Sequence, residues 1–145
     1  MSKHMLAAYA LVILRKGDDI ALLKRADNAR FAPGLYSLIG GRVEEGENFR
    51  QTLVREIYEE VGVTITPDDL HFVHTFYRRG TAEELVALMF ACHIWQGELF
   101  NKEPEKHSEL LWCSINNLPE NVLPAHRGAL ELIKQNCLYS EQQAG

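Results

Sequence analysis

The chain has 145 residues, of which 46% are hydrophobic and 24% are charged, and its formal net charge is −5. This length and composition predict one globular domain with its own core, spanning 1–145 with a core over about 6–138. The negative charge speaks against a general binder of nucleic acid or anionic membranes, so an anionic substrate would need a metal ion or local basic residues.

Apolar runs, turn residues and helical periodicity predict eight elements in chain order. They are strand 6–14, strand 19–25, strand 36–39, helix 48–61, strand 70–78, strand 84–95, strand 109–114 and helix 124–138. The first two strands form a hairpin, and Gly40-Gly41 ends the third strand. Arg79-Gly80-Thr81 forms a turn between strand 70–78 and strand 84–95. The pattern predicts a mixed α/β sandwich.

No part of the chain has the features of a membrane anchor or a metal-binding cysteine motif. The N-terminal apolar run is too short to cross a bilayer and lacks a signal-peptide cleavage site. Cys92, Cys113 and Cys137 are widely spaced and form no CxxC pair. We therefore expect reduced, mostly buried thiols and a cytoplasmic location.

The helix over 48–61 has two contrasting faces. Its apolar residues cluster on one side, while Glu56, Glu59 and Glu60 share the opposite side at helical spacing. Asn48 is the predicted N-cap and Gly62 the predicted C-terminal stop. Like charges at this spacing, near the negative end of the helix dipole, destabilise the helix unless a cation offsets them. A hard divalent cation with oxygen ligands would do so.

The spacing around this helix matches a longer motif. Gly41 is followed after five residues by Glu47, and after seven more by the run REIYEEVGV at 55–63. This arrangement resembles the Nudix box, G-x5-E-x7-R-E-U-x-E-E-x-G-U with U apolar, at every defined position. The flanking stretches LLKRA, LYSLIGG and SELLWCSINNLPEN are also similar to that superfamily, so the resemblance covers about residues 6–135.

The resemblance implies a Nudix fold, with a mixed β-sheet sandwiched between helices (α/β/α), and a role for each residue of the box. Gly41 would bring a backbone carbonyl to a metal ion, and the metal ligands would be Glu56, Glu59 and Glu60. Glu47 would be an outer or secondary ligand, and Arg55 would orient the neighbouring carboxylates. The implied cofactor is Mg²⁺, with Mn²⁺ as a substitute.

The general base remains open at this level. Glu56 is one candidate, and the loop over 101–109 supplies the others, with Glu103 first and Glu105 and Glu109 after it. In the same loop His107 is interpreted as a surface residue. The remaining histidines considered are interpreted as sheet residues without a ligand role: His71, His74 and His93.

The implied reaction is hydrolysis of a nucleoside diphosphate linked to another moiety. A nucleoside triphosphate, modified or not, giving the monophosphate and pyrophosphate, is the first expectation, because marks of several other subfamilies are absent. Dinucleoside polyphosphates, nucleotide sugars and a non-catalytic nucleotide sensor are the alternatives. We expect a small-molecule substrate, no nucleic-acid polymer, no membrane, and a monomer or homodimer.

Residues that would bind the substrate lie outside the box. The candidates are Arg25, Asn28, Phe31, Tyr77, Arg78 and Trp112. The arginines suit phosphate, and the aromatic rings suit stacking on a base. The alternative for Phe31, Tyr77 and Trp112 is a place in the core.

Overall fold

The computed structural model describes residues 2–80 and 83–143, which form eight strands and two α-helices. In chain order these are β1 (Ala7–Lys16), β2 (Asp19–Arg25), β3 (Tyr36–Ser37), β4 (Ile39–Arg42), α1 (Phe49–Val61), β5 (His71–Arg79), β6 (Glu84–Cys92), β7 (His107–Ser114), α2 (Pro124–Lys134) and β8 (Tyr139–Gln143). A turn of 3-10 helix at Pro67–Asp69 precedes β5. Thr81, in the predicted turn between β5 and β6, lies outside the described residues.

The strands form one mixed sheet in the order β3-β2-β1-β6-β5-β8. β4 pairs with β1 and β7 pairs with β2, both antiparallel. The pairs β1–β6 and β5–β8 are parallel, and β1–β2, β2–β3 and β5–β6 are antiparallel. The central strand β1 therefore has apolar neighbours on both sides and is buried along most of its length.

Each face of the sheet packs against one helix, which confirms the predicted α/β/α architecture. Leu53, Ile57 and Val61 of α1 share a buried cluster with residues of β1 and β2. Ala129 and Leu130 of α2 belong to a second cluster on the opposite face. Alternation along β1 explains the division, because successive side chains of a strand point to opposite faces.

The ends of α1 are as predicted. The Asn48 side chain accepts a hydrogen bond from the Gln51 amide, and the Gln51 side chain accepts one from the Asn48 amide, a reciprocal capping box. At the other end Gly62 has φ 74° and donates its N–H to the Tyr58 carbonyl. These caps fix where the helix begins and ends, and so fix the positions of its glutamates.

Several boundaries differ from the prediction. Gly40 and Gly41 lie inside β4, paired with β1, instead of ending a strand. Glycine is needed at position 40 because β4 approaches β1 so closely that a side chain would not fit. α2 ends at Lys134 rather than at 138, and Asn136, with φ 58°, turns the chain into β8. β8 was missed because its sequence, YSEQQ, carries no apolar alternation.

Two other strand ends are also shifted. β6 ends at Cys92 rather than at 95, and β7 begins at His107 rather than at 109. All three cysteines are free; Cys92 is buried, whereas Cys113 and Cys137 are half-buried rather than buried. In the described ranges, neither helix has the length and apolar character that a membrane crossing requires.

Candidate active site

A polar cavity of about 550 Å³, here called the acidic cavity, opens beside the C-terminal half of α1. Its walls come from the end of β2 and the loop after it, the loop between β4 and α1, α1 itself, and the loop that leads into the first residue of β7. They are Arg25, Ala26, Asn28, Ala29, Arg30, Glu44, Arg55, Glu56, Glu59, Glu60, Glu103, Glu105, Lys106 and His107. Carboxylates and basic groups thus face the same space.

The three glutamates of α1 all line this cavity, but they differ in burial. Glu59 is the most exposed, with 47% of its side chain accessible, whereas the side chain of Glu56 is 17% accessible. Glu60 is buried beneath them, and its Oε1 accepts a hydrogen bond of 3.0 Å from the Gly40 amide of β4. The glutamates of the predicted common face therefore range from exposed (Glu59) through half-buried (Glu56) to buried (Glu60).

Burial makes the negative charge in this cavity costly. Desolvation raises the pKa of Glu56, against the opposing effect of Arg55. Desolvation also raises the pKa of Glu60 well above its ordinary value, and the neighbouring charge of Glu56 adds to this. Two acids whose charged forms are disfavoured side by side will gain from a shared proton or a bound cation.

Arg55 holds the exposed part of this cluster together. Its Nε and Nη2 donate to the two carboxylate oxygens of Glu47 at 2.7 and 3.0 Å, and its Nη1 donates to Glu56 Oε1 at 2.8 Å. Nη1 also reaches Glu59 Oε2 at 3.4 Å. This bidentate pairing lowers the pKa of Glu47 to about 2 and keeps that carboxylate charged.

Glu47 does not line the acidic cavity itself. Besides Arg55, it accepts hydrogen bonds from the Thr52 hydroxyl at 2.9 Å and the Glu44 amide at 3.1 Å. Held by these hydrogen bonds, the Glu47 carboxylate fixes the position of the Arg55 guanidinium. Gly41 packs directly against the carboxylate of Glu56, since a Cβ there would lie 2.5 Å from Glu56 Oε1.

The loop before β7 places a second group of potential metal ligands beside Glu60. One oxygen each from Glu60 and Glu103 and one ring nitrogen of His107 lie within 4.8 Å of one another. The prediction that His107 is a surface residue is wrong: only 6% of it is exposed. Burial lowers the pKa of His107.

The other acidic candidates of this loop divide. Glu105 lines the acidic cavity. Glu109 lies within β7, where its Oε1 accepts a hydrogen bond of 2.9 Å from the Tyr36 hydroxyl. That contact ties β7 to β3 and places Glu109 outside the cavity lining.

A second cavity of about 550 Å³, here called the apolar cavity, adjoins the first. The two share Arg25, Glu60 and His107. Further walls come from β1, β3 to β6, α2 and the loop after β2; they include Leu11, Phe31, Ser37, Leu38, Phe76, Arg78, Leu85, Ala87, Leu123 and His126. A ligand with an anionic end and a less polar end could occupy both.

The predicted substrate-binding residues fall into two groups. Arg25, Asn28, Phe31 and Arg78 line one or both cavities. The Arg25 guanidinium lies 5.5 Å from the Phe31 ring centre, and its Nε donates to the Phe31 carbonyl at 2.6 Å. Phe31 is 55% exposed, so it is not a core residue.

Tyr77 and Trp112 are absent from the lining of both cavities. The Tyr77 hydroxyl donates to Glu84 on the neighbouring strand. Trp112 stacks on Trp95 with ring centres 6.1 Å apart, packed against the α1 side of the core. Both side chains have structural partners where they lie.

Sequence reasoning missed several residues that face these cavities, among them Arg30, Lys106 and His126. Arg30 and Lys106 stand beside predicted candidates, so the cluster of charges in each loop was the available signal. His126 gave none, because it sits in the first turn of α2 among mixed residues. Its Nδ1 accepts a hydrogen bond of 3.0 Å from the Leu38 amide, and burial lowers its pKa to about 4.

Comparison with known proteins gives one consistent result. The family model for the NUDIX domain matches residues 3–134. The NAD-capped RNA hydrolase NudC of Stutzerimonas stutzeri is 35% identical over 117 residues, which cover 81% of this chain and 39% of that protein. The ADP-ribose pyrophosphatase of Methanocaldococcus jannaschii is 32% identical, covering 74% of this chain and 62% of that protein. The chain thus spans about two fifths of the length of the NudC relative.

Solved structures agree on the fold. The MutT NUDIX hydrolase from Burkholderia pseudomallei superposes with a TM-score of 0.80 and 27% identity, covering 88% of this chain and 98% of that one. The family match spans most of the chain, so the chain belongs to the NUDIX domain family. The family predicted from the box at 41–63 is thereby confirmed.

Proposed function

We propose that this chain is a divalent-metal-dependent pyrophosphohydrolase that cleaves the phosphoanhydride bond of a nucleoside diphosphate linked to another group. The acidic cavity carries the proposal: the buried Glu60, the half-buried Glu56 and Glu103 and basic groups suited to phosphate face the same space. Catalysis of this kind depends mostly on positioning and electrostatics.

The residues present fit a divalent ion. Glu60 is buried with its pKa raised, and Glu56 beside it is in the same state, so a cation would offset charges that the protein alone leaves in conflict. The donors would be Glu56, Glu59, Glu60, Glu103 and the Gly41 carbonyl, all oxygen ligands that Mg²⁺ accepts. When bound, such an ion would neutralise phosphate oxygens and acidify a coordinated water.

Of the four candidates for the general base, we assign Glu56. Arg55 fixes the orientation of its carboxylate, and burial raises its pKa, which makes the charged carboxylate a stronger proton acceptor than an ordinary one. Glu56 would take the proton of the attacking water as the oxygen bonds to phosphorus and the bridging P–O bond breaks. Arg25, Arg30 and Lys106 would hold the phosphate oxygens.

The apolar cavity would take the nucleoside. It adjoins the acidic cavity, and its walls combine apolar side chains with Phe31, whose exposed ring can stack on a base. One polar and one apolar compartment suit a single nucleoside carrying a polyphosphate, so a nucleoside triphosphate remains the first candidate. The relatives named for ADP-ribose and NAD-capped RNA support a second candidate, a diphosphate with a nucleoside or ribose on each side.

The test is a panel of nucleoside triphosphates, ADP-ribose, NAD⁺ and NAD-capped RNA, incubated with Mg²⁺ and analysed by mass spectrometry of the products. We expect hydrolysis by the wild-type protein and a loss of at least about a hundredfold in kcat for Glu56→Gln and Glu60→Gln, because each removes a charged oxygen ligand. Glu45→Gln is the matched control, since it removes an exposed carboxylate of the same region that lines neither cavity. Full activity in both site variants, with circular dichroism showing a folded protein, would contradict the proposal.

A further inference from the structure

His107 is a buried imidazole with an unpartnered ring nitrogen in the described part of the chain. Only 6% of the residue is exposed, and its Nδ1 has no partner among the residues that the structure describes. Its Nε2 lies 3.5 Å from Glu60 Oε2. Buried polar groups in native proteins are paired in the great majority, so this ring needs an explanation.

A short turn presents His107 and Glu103 together. The amides of Lys106 and His107 both donate to the Glu103 carbonyl, at 2.9 and 3.0 Å. The turn brings the Glu103 carboxylate and the His107 ring to the same side as Glu60 of α1, with the three ligand atoms within 4.8 Å of one another. Two donors on opposite sides of one ion, each about 2.1–2.3 Å from it, are about 4.2–4.6 Å apart, so the three atoms are close enough to share an ion.

We propose that His107 is a nitrogen ligand to a divalent ion held with Glu60 and Glu103, and that this ligand set favours transition-metal ions over Mg²⁺. The inference rests on the proposed function in that it places the ion in the same acidic cavity. Mg²⁺ is bound almost entirely through oxygen, whereas imidazole suits Co²⁺, Ni²⁺ and Zn²⁺. A carboxylate-only site would show a smaller preference, so the loss of preference when His107 is replaced is the diagnostic quantity.

The experiment uses the full chain without nucleotide, with Co²⁺ alone as the probe. Calorimetric titration gives the affinities for Co²⁺ and Mg²⁺, and proton NMR of the Co²⁺ form reports a coordinated imidazole as a strongly shifted, solvent-exchangeable N–H signal. We expect that signal in the wild-type protein. In His107→Gln it should be absent, Co²⁺ affinity should fall by about tenfold to a hundredfold, and Mg²⁺ affinity should change by less than about threefold.

His93→Gln is the matched control, because His93 is an exposed histidine that lines neither cavity. It should keep both the shifted signal and the Co²⁺ affinity. If His107→Gln does not fold, Glu103→Gln takes its place and should weaken Co²⁺ binding by removing a ligand from the same turn. A wild-type protein that binds Co²⁺ no more tightly than Mg²⁺, or that shows no shifted imidazole signal, overturns the proposal.

The outcome is separable from that of the proposed function. A shifted signal in a protein that hydrolyses nothing in the substrate panel would sustain the His107 ligand and contradict the hydrolase. Turnover with Mg²⁺ in a protein without the signal would do the reverse.

Discussion

At the scale of single residues, His126 links the fold to pH. Its Nδ1 accepts from the Leu38 amide, so the neutral ring is the form that the folded protein stabilises. Burial lowers its pKa to about 4, with the positive charges of Arg25 and Arg78 acting in the same direction. The unfolded chain therefore binds a proton at a pH where the folded protein does not.

The sign of the resulting pH dependence follows directly. The contribution of His126 is fully present above its unfolded pKa of about 6.5 and is lost as pH falls towards 4, which amounts to about 3 kcal/mol of unfolding free energy. We expect His126→Asn to flatten the stability profile over this range, because Asn Oδ1 can still accept from the Leu38 amide but does not titrate.

Urea denaturation at several pH values between 7 and 4 measures this effect. His93→Gln controls for the loss of any histidine and should leave the wild-type slope in place. Parallel curves for the wild-type protein and His126→Asn would show that His126 is protonated in the folded state as easily as in the unfolded chain.

At the scale of elements, the glycine at position 40 joins β4 to β1 and to α1. Its φ is 149°, and a Cβ there would overlap the Ala10 carbonyl of β1. Its amide also donates to Glu60. The clash is with backbone of a central strand, so neighbouring side chains cannot relieve it.

We expect Gly40→Ala to lower the free energy of unfolding by about 3 kcal/mol or more, as in other backbone-strain substitutions. Gly17→Ala is the control, since Gly17 also has a positive φ, 59°, but open space around it. That variant should cost only about 1 kcal/mol, the ordinary penalty for a non-glycine residue in the left-handed region. Equal losses in urea denaturation would show that the contact with Ala10 carries no weight.

Local rules predicted α1 well because its signals lie within the helix. The capping box at Asn48, the stop at Gly62 and the spacing of Glu56 and Glu60 depend on neighbours a few residues away. His107 was misjudged because its burial depends on β2–β7 pairing, which sets it opposite Arg25 in the sheet. That register joins residues 82 positions apart, and no local pattern encodes it.

β8 shows the same limit at a larger scale. Its polar sequence forms a strand because the edge of β5 offers unpaired backbone groups, and the pairing gives His74 its partners, the Cys137 carbonyl at 2.7 Å and the Ser140 hydroxyl at 2.9 Å. The sheet position of His74 was predicted correctly. The strand that satisfies it could be found only from the assembled sheet.

At the scale of the whole molecule, the acidic cavity sets the stability of the fold against the proposed activity: the charges that the activity needs destabilise the protein without metal. Glu60 is charged only at a cost, because burial and the charge of Glu56 both raise its pKa. A group whose folded pKa is raised weakens the fold as pH rises through that pKa. The protein without metal should therefore carry a penalty at neutral and alkaline pH that a bound divalent ion removes.

Glu60→Gln tests this trade-off. The Gln side chain can still accept from the Gly40 amide, and its amide group can donate to Glu56, so the substitution replaces repulsion with a hydrogen bond. In EDTA we expect this variant to be more stable than the wild-type protein by about 1–2 kcal/mol, with the difference growing as pH rises. Added Mg²⁺ should raise the unfolding midpoint of the wild-type protein by mass action and that of the variant much less.

Glu59→Gln is the control for this last comparison. Glu59 is the most exposed of the three glutamates of α1, so solvent and salt reduce the cost of its charge. This variant should gain little in EDTA. If Glu60→Gln is instead the less stable protein in EDTA, the buried carboxylate serves the fold, and its charge is then stabilised by groups other than a metal ion. If the variant is more stable and inactive, the cavity has kept a destabilising charge at the position where the proposed chemistry requires one, as stability–function trade-offs at active sites lead us to expect.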